Sequence, residues 1–209
     1  MKYPQGAEKM LITAVLGKEV PSGKLPIDAG VVVSNVGTSA AIWDLVSIQK
    51  PLIERVVTVT GPGIERPANL MVPIGTPLEK MIEFCGGLKD STSRLILGGP
   101  MMGMSQKSLK APVVKGTSGV LALTKDLIVE KKVFQCVRCG RCVEACPIFL
   151  NPSYLGLLAK KGLYEEMESM HLMDCMECGC CSYVCPSGIP LVQSFRVAKA
   201  ILRERKAKK

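Results

Sequence analysis

Four cysteines, spaced three, three and four residues apart and closed by a proline, occur twice in this chain. They are Cys136, Cys139, Cys142 and Cys146-Pro147, and then Cys175, Cys178, Cys181 and Cys185-Pro186. The runs form an internal repeat at an offset of 39 residues and share the pair Gly140/Gly179. Eight of the ten cysteines thus follow one pattern. The first residues, Met1 to Gly6, hold a turn rather than an apolar h-region, which argues against a signal peptide. The longest uncharged run, Ala29 to Trp43, is too short and too polar to span a bilayer. Without export the thiols face a reducing compartment, where structural disulfides are rare. Thiols at this density then point to metal or redox work.

The spacing has a mechanical reason. Three thiolates at three-residue intervals wrap one corner of a cubane from one side, and its fourth iron must be reached from elsewhere. The following proline turns the chain away after the last ligand. This is the bacterial ferredoxin spacing for [4Fe–4S] clusters, in which the fourth cysteine of each run ligates the other cluster. One cluster takes Cys136, Cys139, Cys142 and Cys185; the other takes Cys175, Cys178, Cys181 and Cys146. A four-coordinate zinc site has no place for a third cysteine at the same interval. The single His excludes chemistry that needs a His pair or a Ser-His-Asp triad. Cys180 occupies the repeat position of Arg141 and reads as a packed thiol. Cys85 ends the apolar stretch Met81, Ile82, Phe84 and reads as a buried small hydrophobe at a helix C-terminus.

With 47% apolar and 22% charged residues, a folded core is expected along the rest of the chain. Asn151 to Met173 carries Leu155, Leu158, Leu163, Met167 and Met170 at helical intervals, so the linker between the runs is mostly helical. The Met-rich stripe reads as core against the clusters, and His171 as exposed or locally hydrogen-bonded. The last helix, from Pro190 to about Lys206, sets Leu191, Phe195, Ala198 and Leu202 on one face. Arg196, Lys199, Arg203 and Lys206 form a neighbouring stripe. Residues 50–123 read as β-rich. Strands are expected over Arg55–Thr60, Ala68–Val72, Leu95–Leu97 and within Val113–Leu123, and a helix over Pro77–Phe84. Two hairpin-like strands, a helix and further strands fit a small β-grasp sheet. The Gly98–Gly103 loop is either a close backbone approach to a ligand or a turn. Residues 1–48 show one buried strand, beginning at Val31 and running through Thr38 into a helix, and cannot bury a core alone.

Six segments in this order, together with the overall plan, resemble one family. They are Tyr3-Pro-Gln-Gly-Ala-Glu-Lys, Ser34-Asn-Val-Gly-Thr38, Val72-Pro-Ile-Gly-Thr76, Leu97-Gly-Gly-Pro-Met-Met-Gly103 and the two cysteine runs. All are similar to the C subunit of the Rnf ion-translocating electron transport complex. The resemblance covers the whole chain and implies an α+β protein of three parts. Residues 1–48 are the C-terminal part of a flavin- and NADH-binding domain, a partial flavoprotein-type α/β segment. Residues 49–124 are an SLBB β-grasp domain. Residues 125–209 are a helical ferredoxin-like domain with two [4Fe–4S] clusters and a basic C-terminal helix. On this resemblance Glu8, Asn35 and Thr38 are the flavin-side residues. The Gly-rich flavin phosphate loop of the family is expected upstream of Tyr3, so the flavin site is incomplete here. FMN and NADH belong to the full-length family protein.

The resemblance implies an electron-transfer subunit, with no catalytic side chain of its own. It relays electrons between NADH, through flavin, and ferredoxin-side partners through the two clusters. NADH gives up two electrons together and each cluster accepts one; a flavin divides the pair. The implied setting is peripheral, on the cytoplasmic side of the bacterial inner membrane, with the other subunits of the complex as partners. The alternatives are a cobalamin reductase of the bacterial microcompartment type and a stand-alone ferredoxin-like relay module. Of the net charge of +9, two thirds lies within residues 196–209. The body is thus not evenly basic and nucleic acid is not expected as a partner. The tail either meets an acidic partner or anionic lipid, or is a solvated terminus.

Overall fold

A computed structural model of the chain describes residues 3–129 and 132–208. Met1, Lys2 and Lys209, which the sequence places in the opening turn and the basic tail, lie outside them. In chain order the elements are α1 (Glu8–Leu16), α2 (Val36–Ile48), β1 (Glu54–Thr60), β2 (Ala68–Pro73), α3 (Leu78–Phe84), β3 (Thr92–Leu97), β4 (Met104–Gln106) and β5 (Gly119–Thr124). They continue with α4 (Arg141–Glu144), α5 (Pro152–Lys161), α6 (Tyr164–Ser169), α7 (Cys180–Tyr183) and α8 (Leu191–Ala207). Packing divides them into two compact units, residues 3–33 with 132–208 and residues 34–129. Compactness therefore groups α1 with the cysteine runs and α2 with the sheet.

The second unit is built on a five-stranded mixed sheet of order β2-β1-β5-β3-β4. β1 pairs antiparallel with β2 and parallel with β5, while β3 pairs antiparallel with both β5 and β4. Strict alternation in β5 buries Val120, Ala122 and Thr124 on one face. Val57 and Val59 of β1 bury on that face too, and α3 lays Leu78, Met81 and Ile82 over it at helical spacing. Cys85 is buried in the same core, just past the end of α3, as its sequence context implies. The Gly98–Gly103 segment is a turn joining β3 to β4. A side chain on Gly103 would lie 2.5 Å from the Gly99 carbonyl oxygen.

One expected strand is absent. Residues 31–35 carry no strand pairing, and Val32 is 81% exposed. A strand needs a ladder partner, and among the described residues none reaches these valines. The helix that follows begins at Val36, because the Asn35 side chain accepts a 3.0 Å hydrogen bond from the Gly37 N–H and caps it. α2 buries none of its side chains.

In the first unit α5, α6 and α8 pack around Leu155, Leu158, Met167, Leu172, Leu191, Phe195, Ala198 and Leu202. Burying each large side chain contributes about 1.5–3 kcal/mol. α5 starts on Asn151, whose Oδ1 accepts from the Tyr154 N–H, with Pro152 in the first turn. Gly156 lets α8 approach α5: a Cβ there would sit 2.6 Å from Leu191 Cδ2. The apolar face of α8 thus packs on the cysteine unit. Met167 joins that core as expected, while Leu163 and Met170 are exposed. His171 is exposed, with Nδ1 3.7 Å from Asp174 Oδ2. The basic stripe expected on α8 is not continuous. Lys199 is buried rather than solvated, for a reason given by its partners below.

Candidate metal centre

The 39-residue sequence repeat is also a backbone repeat. Arg138 and Glu177 hold φ of 54° and 58°, and Gly140 and Gly179 hold 77° and 88°. Each glycine precedes a four-residue helix, α4 or α7, that carries the third cysteine. Phe149 and Gly188, again 39 apart, hold φ of 57° and 63°. The left-handed residue between the first two cysteines and the left-handed glycine after the second curl each run inward. Its thiols are thereby turned toward a common centre.

The fourth cysteine of each run is delivered to the other centre. Cys136, Cys139, Cys142 and Cys185 line one open cavity of about 400 Å³, walled by Val133, Phe134 and Ile189. Cys146, Cys175, Cys178 and Cys181 line a second, walled by Ile148, Val192 and Phe195, of only about 20 Å³. The second cavity is the narrower of the two. Cys178, Cys181 and Cys185 are buried, whereas Cys139 is exposed. The eight cysteines singled out from sequence therefore meet in two sets of four.

Electrostatics follows the same partition. Burial pushes the Cys142 thiol up, and Cys136, Cys139 and Cys185 add to the rise. Burial pushes Cys181 up to about 12, with Cys175, Cys178 and Cys146 adding to it. Burial also raises Cys175, against the pull of the Glu177 backbone amide and of the Lys199 charge. Four thiolates gathered away from water repel one another and are stable together only around concentrated positive charge. Thiophilic iron supplies such charge, so the donor sets fit an iron–sulfur group. Among the described residues, no three His, Cys, Asp or Glu side chains converge closely enough to hold a single ion. Cys180 shares the wall of the second cavity. Burial and a hydrogen bond with Cys178 push its thiol up to about 11.

Three charged side chains that the sequence pattern did not mark as a group stand beside the second set. Lys199 Nζ donates to the Cys175 carbonyl at 2.5 Å and to Glu177 Oε1 at 3.1 Å. Arg196 Nε donates to Glu177 Oε2 at 2.8 Å. Burial alone would raise Glu177, but Lys199 and Arg196 outweigh it and hold the carboxyl below its ordinary value. Two polar positions falling next to the apolar stripe of α8 were the signal available, and the partner carboxylate lies too far back in sequence to be read.

The three flavin-side residues fall in different units. Glu8 opens α1 in the first unit. Asn35 and Thr38 stand at the start of α2 in the other, where Arg55 engages both. Its Nη2 donates to Asn35 Oδ1 at 3.2 Å and its Nη1 to Thr38 Oγ1 at 3.3 Å. Asn35 and Arg55 border a cleft of about 360 Å³ that Asp44, Lys50 and Glu54 also line.

Three family models match parts of the chain. Residues 1–44 match the Nuo51 FMN-binding domain, 56–105 the SLBB domain, and 132–189 the 4Fe-4S dicluster domain. The C subunit of the proton-translocating ferredoxin:NAD(+) oxidoreductase complex of Clostridium ljungdahlii is 53% identical over 83% of this chain and 38% of the relative. The C subunit of the ion-translocating oxidoreductase complex of Rhodobacter capsulatus is 50% identical over 100% of this chain and 40% of the relative. The chain belongs to the family of C subunits of these complexes. A third member, the C subunit of the Na(+)-translocating ferredoxin:NAD(+) oxidoreductase complex of Acetobacterium woodii, is 47% identical over 95% of this chain and 45% of the relative. The chain spans about two fifths of the length of the curated relatives it matches. The expected fold class, α+β with SLBB and ferredoxin-like parts, holds for this family member.

Proposed function

We propose that this chain is the electron-relay portion of such a C subunit. On this reading it passes electrons between NADH, through FMN, and ferredoxin-side partners by way of two [4Fe–4S] clusters. The observation that carries the proposal is the gathering of the eight run cysteines into two sets of four, each completed by the other run's fourth cysteine. Cys136, Cys139, Cys142 and Cys185 would hold one cluster, and Cys175, Cys178, Cys181 and Cys146 the other. Bound there, such clusters supply one-electron storage at two neighbouring points.

The chain's own residues do the rest. The crossed ligation fixes the two centres beside each other, because each run contributes to both. Leu155, Met167, Phe195 and Leu202 exclude water behind the second set, and the exposed Cys139 leaves the first set open to a partner. The three parts, 1–48, 49–124 and 125–209, would be the end of the flavin domain, the SLBB domain and the cluster domain. Glu8, Asn35 and Thr38 would face flavin in the longer protein. Among the described residues no helix is long and apolar enough to cross a membrane. On the family's pattern we place the chain peripherally, on the cytoplasmic side, against the other subunits of the complex.

Anaerobic reconstitution of the 209-residue chain tests this reading. About eight iron and eight sulfide per chain are expected. Zinc in place of iron, or a single cluster, overturns it.

A further inference from the structure

Lys199 is 4% exposed, on a helix whose other buried positions are all apolar. Taking a charged side chain out of water costs several kcal/mol unless it is paired and hydrogen-bonded. Here both conditions are met by groups at the second cysteine set: the carbonyl of Cys175 and the carboxylate of Glu177. Arg196 holds the other oxygen of that carboxylate. Two cations and one anion leave one net positive charge against the Cys175–Cys178 loop.

Among the described residues the first set has no buried cation. Arg138, at the repeat position of Glu177, and Lys160 line its cavity but are exposed, and Lys199 is the only buried charged side chain. The two centres therefore share a backbone but differ in their fixed charge. Reduction adds one negative charge to a centre, and a cation held in a poorly solvated place favours the more negative form. The charge of Lys199 is buried and little screened, whereas those of Arg138 and Lys160 are exposed to water and screened by it.

We propose that Lys199, positioned by Glu177 and Arg196, raises the reduction potential of the cluster held by Cys175, Cys178, Cys181 and Cys146. That centre then becomes the preferred resting place of a single electron. Lys199 acts here as a positioning and tuning residue through the Cys175 loop. The inference rests on the two-cluster reading above.

The test is a potentiometric titration with dithionite, followed by electron paramagnetic resonance, on the reconstituted 209-residue chain. Lys199→Gln keeps an amide donor for the Cys175 carbonyl and loses only the charge; Lys199→Met loses both. Each should shift one of the two midpoints downward and leave the other in place. Lys199→Arg should leave both near their original values. Arg196→Gln, at a more exposed position, should give a smaller downward shift. A midpoint that stays put in Lys199→Gln with its iron retained overturns the proposal. So does a shift as large in Lys199→Arg as in Lys199→Gln. Loss of the cluster from both neutral variants also overturns it, because Lys199 is then a structural residue. Iron and sulfide analysis of the unsubstituted chain tells these results apart from failure of the two-cluster reading itself.

Discussion

The hydroxyl of Tyr3 donates a 2.7 Å hydrogen bond to the carbonyl of Cys178. The bond joins the segment matched by the FMN-binding family model to the loop of the second cysteine run. Ser22 Oγ adds a second tie, to Asp174 Oδ2, one residue before that run begins. Burial, with smaller contributions from Cys178 and Cys180, raises the Tyr3 phenol, so it stays a donor throughout the neutral range. Replacing Tyr3 by Phe removes the donor and keeps the ring. The expected cost is about 1 kcal/mol, read from urea unfolding of the first unit. A change indistinguishable from zero would mean that the N-terminal segment is not held by this bond.

The crossed ligation makes a prediction that nearest-neighbour ligation does not. Cys146→Ser should damage the centre of Cys175, Cys178 and Cys181 and spare that of Cys136, Cys139 and Cys142. Cys185→Ser should do the reverse. Cys180→Ser, altering a wall residue outside both sets of four, should leave both signals in the electron paramagnetic resonance spectrum. If Cys146→Ser removes the signal of its own run instead, the assignment of fourth ligands is wrong.

FMN should bind the 209-residue chain weakly. Asn35 Oδ1 already accepts from the Gly37 N–H and from Arg55, and Thr38 Oγ1 accepts from Arg55. A flavin polar group must displace those donors. Equilibrium dialysis against FMN measures this directly. Tight stoichiometric retention would show that the cleft beside Arg55 suffices.

Phe149 gives a test of backbone against side-chain energetics. It is 93% exposed, so truncating it forfeits almost no burial. Yet it holds φ of 57°, at the position where the second repeat has Gly188. Phe149→Val, β-branched in the left-handed region, should leave the first unit about 1–2 kcal/mol less stable than Phe149→Gly. Phe149→Gly should be neutral or slightly stabilising, since what it regains in strain it gives back in unfolded-chain entropy. Equal stabilities of the two variants in urea would remove the backbone argument.

Much of this architecture was legible because its signals are local. The strands from Arg55 and Ala68, the helix ending at Phe84 and the buried Cys85 all follow from alternation, periodicity and turn residues. The two thiol sets were legible because a repeat of four cysteines and a proline fits so few centres. What misled was the Val31-Val-Val run: β-branched residues record a preference for pairing, but pairing needs a neighbour that this segment lacks. Lys199 misled for the converse reason. Its place beside an apolar stripe reads as a solvated flank, and only the arrival of Glu177 and the Cys175 carbonyl from another loop makes burial tolerable. The engagement of Asn35 and Thr38 by Arg55 was hidden in the same way, since the arginine sits on a strand further along the chain.

The last helix separates two readings of the basic tail. On α8 the apolar residues Leu191, Phe195, Ala198 and Leu202 are buried in the core of the first unit. Of the cations, Arg196 and Lys199 hold Glu177, Arg205 pairs with Glu165 and lies over the Tyr164 ring, Lys206 pairs with Glu168, and Lys208 pairs with Glu204. Much of the charge that could draw the tail to an acidic surface is thus already matched within the chain. The exposed pairs are worth at most about 1 kcal/mol each, whereas truncating a buried aromatic costs about 3–5 kcal/mol. Phe195→Ala should therefore destabilise the first unit severely, while Arg205→Gln with Lys206→Gln should barely move its unfolding midpoint. The same matching predicts weak retention on anionic phospholipid vesicles, since unmatched exposed charge is screened over about 8 Å at physiological salt. Sedimentation with such vesicles should leave the chain in solution at that salt. Strong retention that disappears when Arg203, Arg205 and Lys206 become Gln would instead make the tail a docking element, its internal pairs exchanged for contacts with the lipid.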